Sequence, residues 1–204
     1  MAAGKQYTVT CTAVGDGGVG KTCLMLTFLT GKYPESYLPG SMDWHNEFAH
    51  VTREPVKFEY EGTSVSLNLV DTVGLDEYQK LREKVCHNTD VYMVCYDVTN
   101  PSSLDRVEHH WVPEIRDYSP TAPFLLVGTK TDARNTITKD ADPKCRSIPA
   151  EEGIRRAEEL GAFGYVECSA KSSVGLRRVF ESAALAYMDN YVPSDTKKKS
   201  CVIS

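Results

Sequence analysis

An α/β fold built on a mostly parallel sheet is the architecture this sequence predicts, on three observations. Residues 91–98 (VYMVCYDV) and 124–128 (FLLVG) are near-continuous apolar runs, the composition of strands buried on both faces. Strand-like and helix-like runs alternate along the chain. The first strand-like run, 7–14, ends in a glycine-rich turn that opens a helix-like run.

The elements follow in order. A helix is expected from about Lys21, with Gly31 as its stop. Residues 32–50 are rich in Pro, Gly and Ser and read as a loop. Residues 57–60 and 64–70, on either side of Gly62, read as a hairpin, and Pro55 puts its first strand at a sheet edge. Between the two apolar runs, Ser102 or Ser103 is expected to cap a helix whose buried face carries Leu104, Val107, Trp111 and Ile115. His109 and His110 lie on that helix, which is expected to stand away from the glycine-rich turn and the other strand-end loops, so both read as surface or packing residues. Residues 165–168 form a short last strand. A final helix, 174–191, has Leu176, Phe180, Ala183, Ala184, Tyr187 and Tyr191 on its inner stripe, and its aromatics read as core. Thr8, Thr10 and Thr12 make the first strand a partial misfit. β-Branching keeps it extended, but the hydroxyls need partners.

Composition bounds the function. The 204 residues make one domain over 1–192 plus a flexible basic tail, 193–204. Lys and Arg number 23 against 28 Asp and Glu, a formal charge of −5, which argues against a nucleic-acid binder. Seven scattered cysteines without a CxxC pair suit reduced cytosolic thiols. No apolar run approaches the length of a membrane-spanning helix, and the N-terminus lacks the apolar core of a signal peptide.

Residues 15–22 read Gly15-Asp16-Gly17-Gly18-Val19-Gly20-Lys21-Thr22, which fits G-x-x-x-x-G-K-[ST] between a strand and a helix. Backbone N–H groups there can wrap a phosphate, and the helix N-terminus adds positive potential. Lys21 is expected to reach the β- and γ-phosphates, and the Thr22 hydroxyl to bind Mg²⁺. Cys23 follows inside the same turn. This loop alone leaves ATPases and nucleotide kinases open. Asp71-Thr72-Val73-Gly74 then falls at a strand end, where Asp71 can hold the Mg²⁺ shell through water and the Gly74 N–H can face a γ-phosphate. Thr129-Lys130-Thr131-Asp132 follows the second apolar run. The Asp132 carboxylate can accept from guanine N1 and N2; adenine lacks that donor pair and would leave the carboxylate unmet, at a cost of about 1–3 kcal/mol. The Lys130 stem can lie along the base. Ser169-Ala170-Lys171 follows the last strand, where a backbone N–H can bind guanine O6. In this order, each at the C-terminal end of a strand, the motifs point to guanine nucleotide and disfavour a kinase or ATPase.

With these motifs in place the sequence resembles the Ras-like small GTPases, and the Rho/Rac group within them. The resemblance rests on GDGGVGKT, DTVG, TKTD and ECSAK and on the text HHWVPEIRDYSPTAPFLLVGTKTD. It implies a P-loop G domain with a six-stranded, mostly parallel sheet and helices on both faces. It implies a monomer that binds GTP and GDP with Mg²⁺ and switches between two loop states. By the same resemblance Tyr33 packs on the guanine, Tyr37, Pro39, Gly40 and Ser41 belong to switch I and its effector surface, and 74–84 is switch II. Residues 138–146 look like a shortened Rho insert. The implied partners are effectors, exchange factors and a Rho-type dissociation inhibitor, and the implied setting is cytoskeletal or polarity signalling.

Three departures fall on the chemistry. Leu75 stands where the family has its water-positioning Gln, and leucine makes no hydrogen bond. Val73 replaces a smaller Ala at a point where the backbone moves. The switch I Thr falls on Gly40 counted forward and on Ala49 counted back from Asp71, so the segment holds an insertion and neither position offers a hydroxyl. Ser41 and Thr52 are the nearest candidates to substitute. Weak hydrolysis follows, in a protein that is either a slow switch or a GTP-locked scaffold. Gly17 leaves the approach of an arginine finger unblocked. The chain ends Lys197-Lys198-Lys199-Ser200-Cys201-Val202-Ile203-Ser204, a C-a-a-X box favouring farnesylation of Cys201 with a polybasic second signal. That places the protein on the cytoplasmic face of a membrane, the plasma membrane, with a cytosolic pool.

Overall fold

The computed structural model describes residues 6–35, 55–60, 63–136 and 147–191. Switch I from 36, the insert-like stretch 138–146 and the tail from 192, including Cys201, lie outside the described residues. Six strands form one sheet in the order β2-β3-β1-β4-β5-β6. They are β1 (Gln6–Val14), β2 (Val56–Tyr60), β3 (Thr63–Asp71), β4 (Val91–Asp97), β5 (Phe124–Thr129) and β6 (Gly164–Glu167). All neighbours pair in parallel except β2 and β3, the expected hairpin, and β2 is the edge. β1 is central, with Cys11 opposite both Leu69 and Val91.

Period-two alternation splits the core into two layers. On one face Val9, Cys11, Leu67, Met93 and Val127 pack with Leu24 and Met25 of α1 (Lys21–Thr30) and with Val179, Phe180 and Ala183 of the C-terminal helix. Phe28 of α1 stacks on Phe180 with ring centroids 4.0 Å apart. On the other face Tyr92, Val94, Tyr96 and Leu126 pack against Leu104, Val107, Trp111 and Ile115. These four come from α3 (Pro101–Arg106), a π-helical turn (Val107–Trp111) and α4 (Val112–Tyr118). The threonine misfit resolves simply. Thr8 is exposed, while the buried Thr12 hydroxyl lies 2.7 Å from that of Thr89. Burial pushes the thiols of Cys86 and Cys95 up, to about 11 and about 12, so both are neutral packing groups.

Several expectations are corrected. The helix after β4 starts at Pro101 with Asn100 as its cap residue, because proline suits the first helical position. Ser103 lies inside the helix, where its hydroxyl donates to Asn100 O (2.7 Å) and accepts from Asp97 N (3.0 Å). The last helix, α6, runs Leu176–Tyr191; Tyr187 is half-buried and packs against the core as expected, whereas Tyr191 is exposed, so the inner stripe stops short of it. No sequence periodicity predicts α2 (Gln79–Cys86) or α5 (Ala150–Glu159). Each buries only two residues, Arg82 and Cys86 in α2, Gly153 and Ala157 in α5, so neither shows a large apolar stripe. At Gly153 an added Cβ would stand 2.3 Å from the Tyr165 ring.

Candidate functional site

The C-terminal ends of β1, β3, β4, β5 and β6 bring the motifs together, as parallel strands must when their crossovers run the same way. After β1 the chain turns at Gly15, whose φ of +139° and whose Cβ position, 2.2 Å from Cys95 O, admit only glycine. Gly20, at φ +102°, opens α1. Lys21 is buried, and its ammonium donates to Gly15 O (2.7 Å) and Asp16 O (2.9 Å). Burial pushes its pKa down, against the opposing charge of Asp71. A buried ammonium met by two carbonyls at the mouth of a glycine turn fits an anionic ligand. Val19 is buried, and its carbonyl lies 2.5 Å from Thr129 Oγ1, which ties the phosphate loop to β5.

Asp16 enters this loop through its backbone. Its carboxylate points elsewhere: Asp16 Oδ1 accepts from Arg106 Nε and from Trp111 Nε1, both at 2.7 Å. The helix expected to stand apart from the phosphate loops therefore lies against them. His109 is exposed, as expected for a surface residue, while His110 Nε2 stands 3.4 Å from Asp76 Oδ1 and 3.3 Å from Glu114 Oε2.

After β3, Thr22 Oγ1 donates to Asp71 Oδ2 at 2.5 Å. Thr72 Oγ1 donates to Ala13 O (2.6 Å), holding the turn against β1. Gly74 then abuts the phosphate loop: Gly17 N–H donates to Gly74 O at 3.0 Å, and a Cβ on Gly74 would stand 2.2 Å from Gly15 O. Leu75 is 46% exposed, and its Cδ2 lies 3.3 Å from where a Cβ on Gly17 would be. Arg82 grips both sides of Gly74, donating from Nη1 to Val73 O (2.9 Å) and Leu75 O (2.6 Å). Its other edge is bidentate to Glu114, at 2.7 and 3.0 Å, with both side chains almost fully buried.

At the far end, Lys130 adopts φ +59°, unusual for a non-glycine residue, and its ammonium lies 2.8 Å from Asp97 Oδ2. Its Cε passes 3.8 Å from the Cβ position of Gly20, so the stem runs over the phosphate loop. Ser169, fully buried, donates from Oγ to Asp132 Oδ1 (2.6 Å) and accepts from Ser172 N (3.0 Å). Arg134 pairs with both carboxylate oxygens of Glu167, joining the turn after Asp132 to β6. Tyr33 and Cys23 line the same cavity.

One cavity of about 480 Å³ runs between these two ends, within the range of small-molecule sites. Its wall includes Gly17, Gly18, Gly20, Lys21, Thr22, Cys23, Tyr33, Gly74, Leu75, Thr129, Lys130, Asp132, Ala170 and Lys171 from the sequence-derived set. Leu24, Thr72, Val73, Ala133 and Cys168 complete it, and of these Leu24 and Ala133 stand in none of the motifs. Asp16, Val19, Asp71 and Ser169 contribute from behind the wall by the bonds given above.

A glycine phosphate loop, a strand-end Asp beside a helix-start Thr, and an Asp and Ser meeting at the other end define a P-loop G domain. The Ras family profile matches residues 10–189, and the chain belongs to the Ras family. It is a small GTP-binding signalling protein. Members of this family bind guanine nucleotide with Mg²⁺ and hydrolyse GTP. The donors near Thr22 and Asp71 are a hydroxyl and a carboxylate, oxygen only, which fits a hard cation such as Mg²⁺. Among the described residues no group of three or more His, Cys, Asp or Glu gathers, so phosphate and water oxygens would fill the rest of its shell.

Proposed function

We propose that this chain is a Rho-type, membrane-tethered GTP switch with weak intrinsic hydrolysis. The carrying observation is Leu75, which follows Gly74 directly and lies over Gly17. Phosphoryl transfer in this class depends on positioning the attacking water and on electrostatics, and an alkyl side chain positions no water. Leu75 also narrows the approach that Gly17 leaves open to an arginine finger. The grip of Arg82 on the Val73 and Leu75 carbonyls adds stiffness on both sides of Gly74.

In this reading the amides of Gly18, Val19 and Gly20, with Lys21, cradle the phosphates, while the Gly17 N–H stays on Gly74 O. Thr22 and Asp71 hold Mg²⁺, Asp71 through water. Asp132 accepts from guanine N1 and N2, the Ala170 N–H meets O6, the Lys130 stem and Tyr33 cover the base, and Thr129 and Lys171 frame it. Held there, the cation would supply charge neutralisation to the phosphates. Effectors read Tyr37, Pro39, Gly40 and Ser41, exchange factors and a Rho-type dissociation inhibitor act on the same switch, and cytoskeletal or polarity signalling is its setting. A farnesyl group on Cys201 with Lys197, Lys198 and Lys199 gives two membrane signals.

Single-turnover GTP hydrolysis on purified protein tests the central claim, and a rate equal to that of an ordinary Rho protein ends it. Leu75 also favours a second reading, a GTP-locked scaffold. Nucleotide content of the isolated protein separates the two: GTP throughout supports the scaffold, and a GDP fraction supports the slow switch.

A further inference from the structure

Arg106 makes contacts that guanine-nucleotide binding does not require. Its Nε donates to Asp16 Oδ1 at 2.7 Å, and its Nη2 donates to Asp76 Oδ1 at 2.6 Å. One carboxylate belongs to the phosphate loop. The other sits immediately after Leu75. The guanidinium lies 5.9 Å from the centre of the Trp111 ring, and Trp111 bonds the same Asp16 oxygen. It is therefore a planar fork spanning two carboxylates from segments sixty residues apart, seated on an indole.

This is more than an exposed ion pair. The side chain of Asp16 is 20% exposed and that of Arg106 38%, so water screens this half of the bridge only in part. Asp76 is 65% exposed, and its half of the bridge is the weaker. The bridge also acts where motion matters. Between Gly74 and Asp76 the chain is held at Gly74 O by Gly17 N–H, at Leu75 O by Arg82 and Tyr78 N–H, and at the Asp76 carboxylate by Arg106, with His110 Nε2 3.4 Å from the same Asp76 oxygen. The tie at Gly74 and the Arg106 bridge end on consecutive residues of the phosphate loop, Gly17 and Asp16. Arg106 projects from the last position before the π-helical turn, a local geometry that often marks functional sites.

We propose that Arg106 is a positioning residue for the nucleotide cycle. It latches the segment after Gly74 to the phosphate loop, so that the two loops open together and nucleotide release is slowed. The inference rests on the reading of the cavity as a guanine-nucleotide site.

The test is the release rate of a fluorescent GDP analogue from the full chain with Mg²⁺ present. Arg106→Met keeps most of the stem and removes the fork, and release should quicken roughly three- to tenfold. Arg106→Lys, a point charge unable to span both carboxylates, should fall between. Asp76→Asn, on an exposed side chain, should quicken release by itself, and adding it to Arg106→Met should give less than the product of the two effects. Release from Arg106→Met at the parental rate, or multiplicative effects in the double variant, overturns the proposal. Failure of the parent to retain GDP would remove the nucleotide reading and this inference together; retained GDP with unchanged rates removes only the inference.

Discussion

The indole N–H of Trp111 donates to Asp16 Oδ1 at 2.7 Å, so a residue at the centre of one hydrophobic layer is bonded to the phosphate loop. Packing and ligand binding are joined there. Trp111→Phe keeps a buried ring and deletes the donor. It should lower stability by about 1–2 kcal/mol and quicken GDP release, because Asp16 keeps only Arg106. Urea unfolding beside a release assay reads both effects, and a loss of stability with unchanged release would show the bond to be structural alone.

Restoring a hydrogen-bonding side chain over Gly17 should restore chemistry. Leu75→Gln is expected to raise single-turnover hydrolysis by about tenfold or more, since the new amide can orient water. No increase would place the defect at Val73 or in switch I.

Arg82 and Glu114 are a buried pair, and breaking one side strands the other. Glu114→Ala should destabilise by about 3–5 kcal/mol. Replacing both, as Arg82→Met with Glu114→Leu, should recover much of that loss while freeing the Val73 and Leu75 carbonyls. Denaturant melts of Arg82→Met, Glu114→Leu and the double variant give the coupling directly.

Ser169 fixes Asp132 from behind. Ser169→Ala removes a bond to the carboxylate proposed to accept from guanine, and GDP affinity should fall by roughly tenfold. Isothermal titration decides it; an unchanged affinity would mean that Asp132 is held sufficiently by its own turn.

The hydrogen bond from Arg106 holds the Asp76 carboxyl below its ordinary range. A depressed folded pKa adds stability that is present above the unfolded value, about 3.9, and is lost as pH falls through the folded one. The melting-temperature difference between the parent and Asp76→Asn should therefore be small and constant from about pH 5 to 7, and shrink below about pH 4. A difference that grows on acidification contradicts the assignment.

Much of this was legible in the residues. The six strand-like runs, a mostly parallel sheet, and the placing of the glycine loop, Asp71, Asp132 and Ser169 at strand ends follow from apolar runs and motif spacing; the strand order around β1 does not. What escaped notice has a common cause. The helices α2 and α5 bury small or charged residues, so no apolar periodicity announces them. Trp111 does belong to the core, as its helical spacing indicates, yet its one polar atom reaches the phosphate loop. Arg106 and Asp97 stand in no motif, and only the folded chain brings them to Asp16 and Lys130. Spacing along a sequence locates backbone turns well. It says little about which long side chain will cross from one layer to meet another.

Lys130 offers a closing consequence. Its left-handed backbone costs roughly 1–2 kcal/mol that glycine would not incur. Variants selected only for heat resistance should drift toward glycine at 130, and variants selected for ligand retention should return to lysine. The position is a place where endurance and duty are in open competition, and a library screened both ways would expose the exchange rate between them.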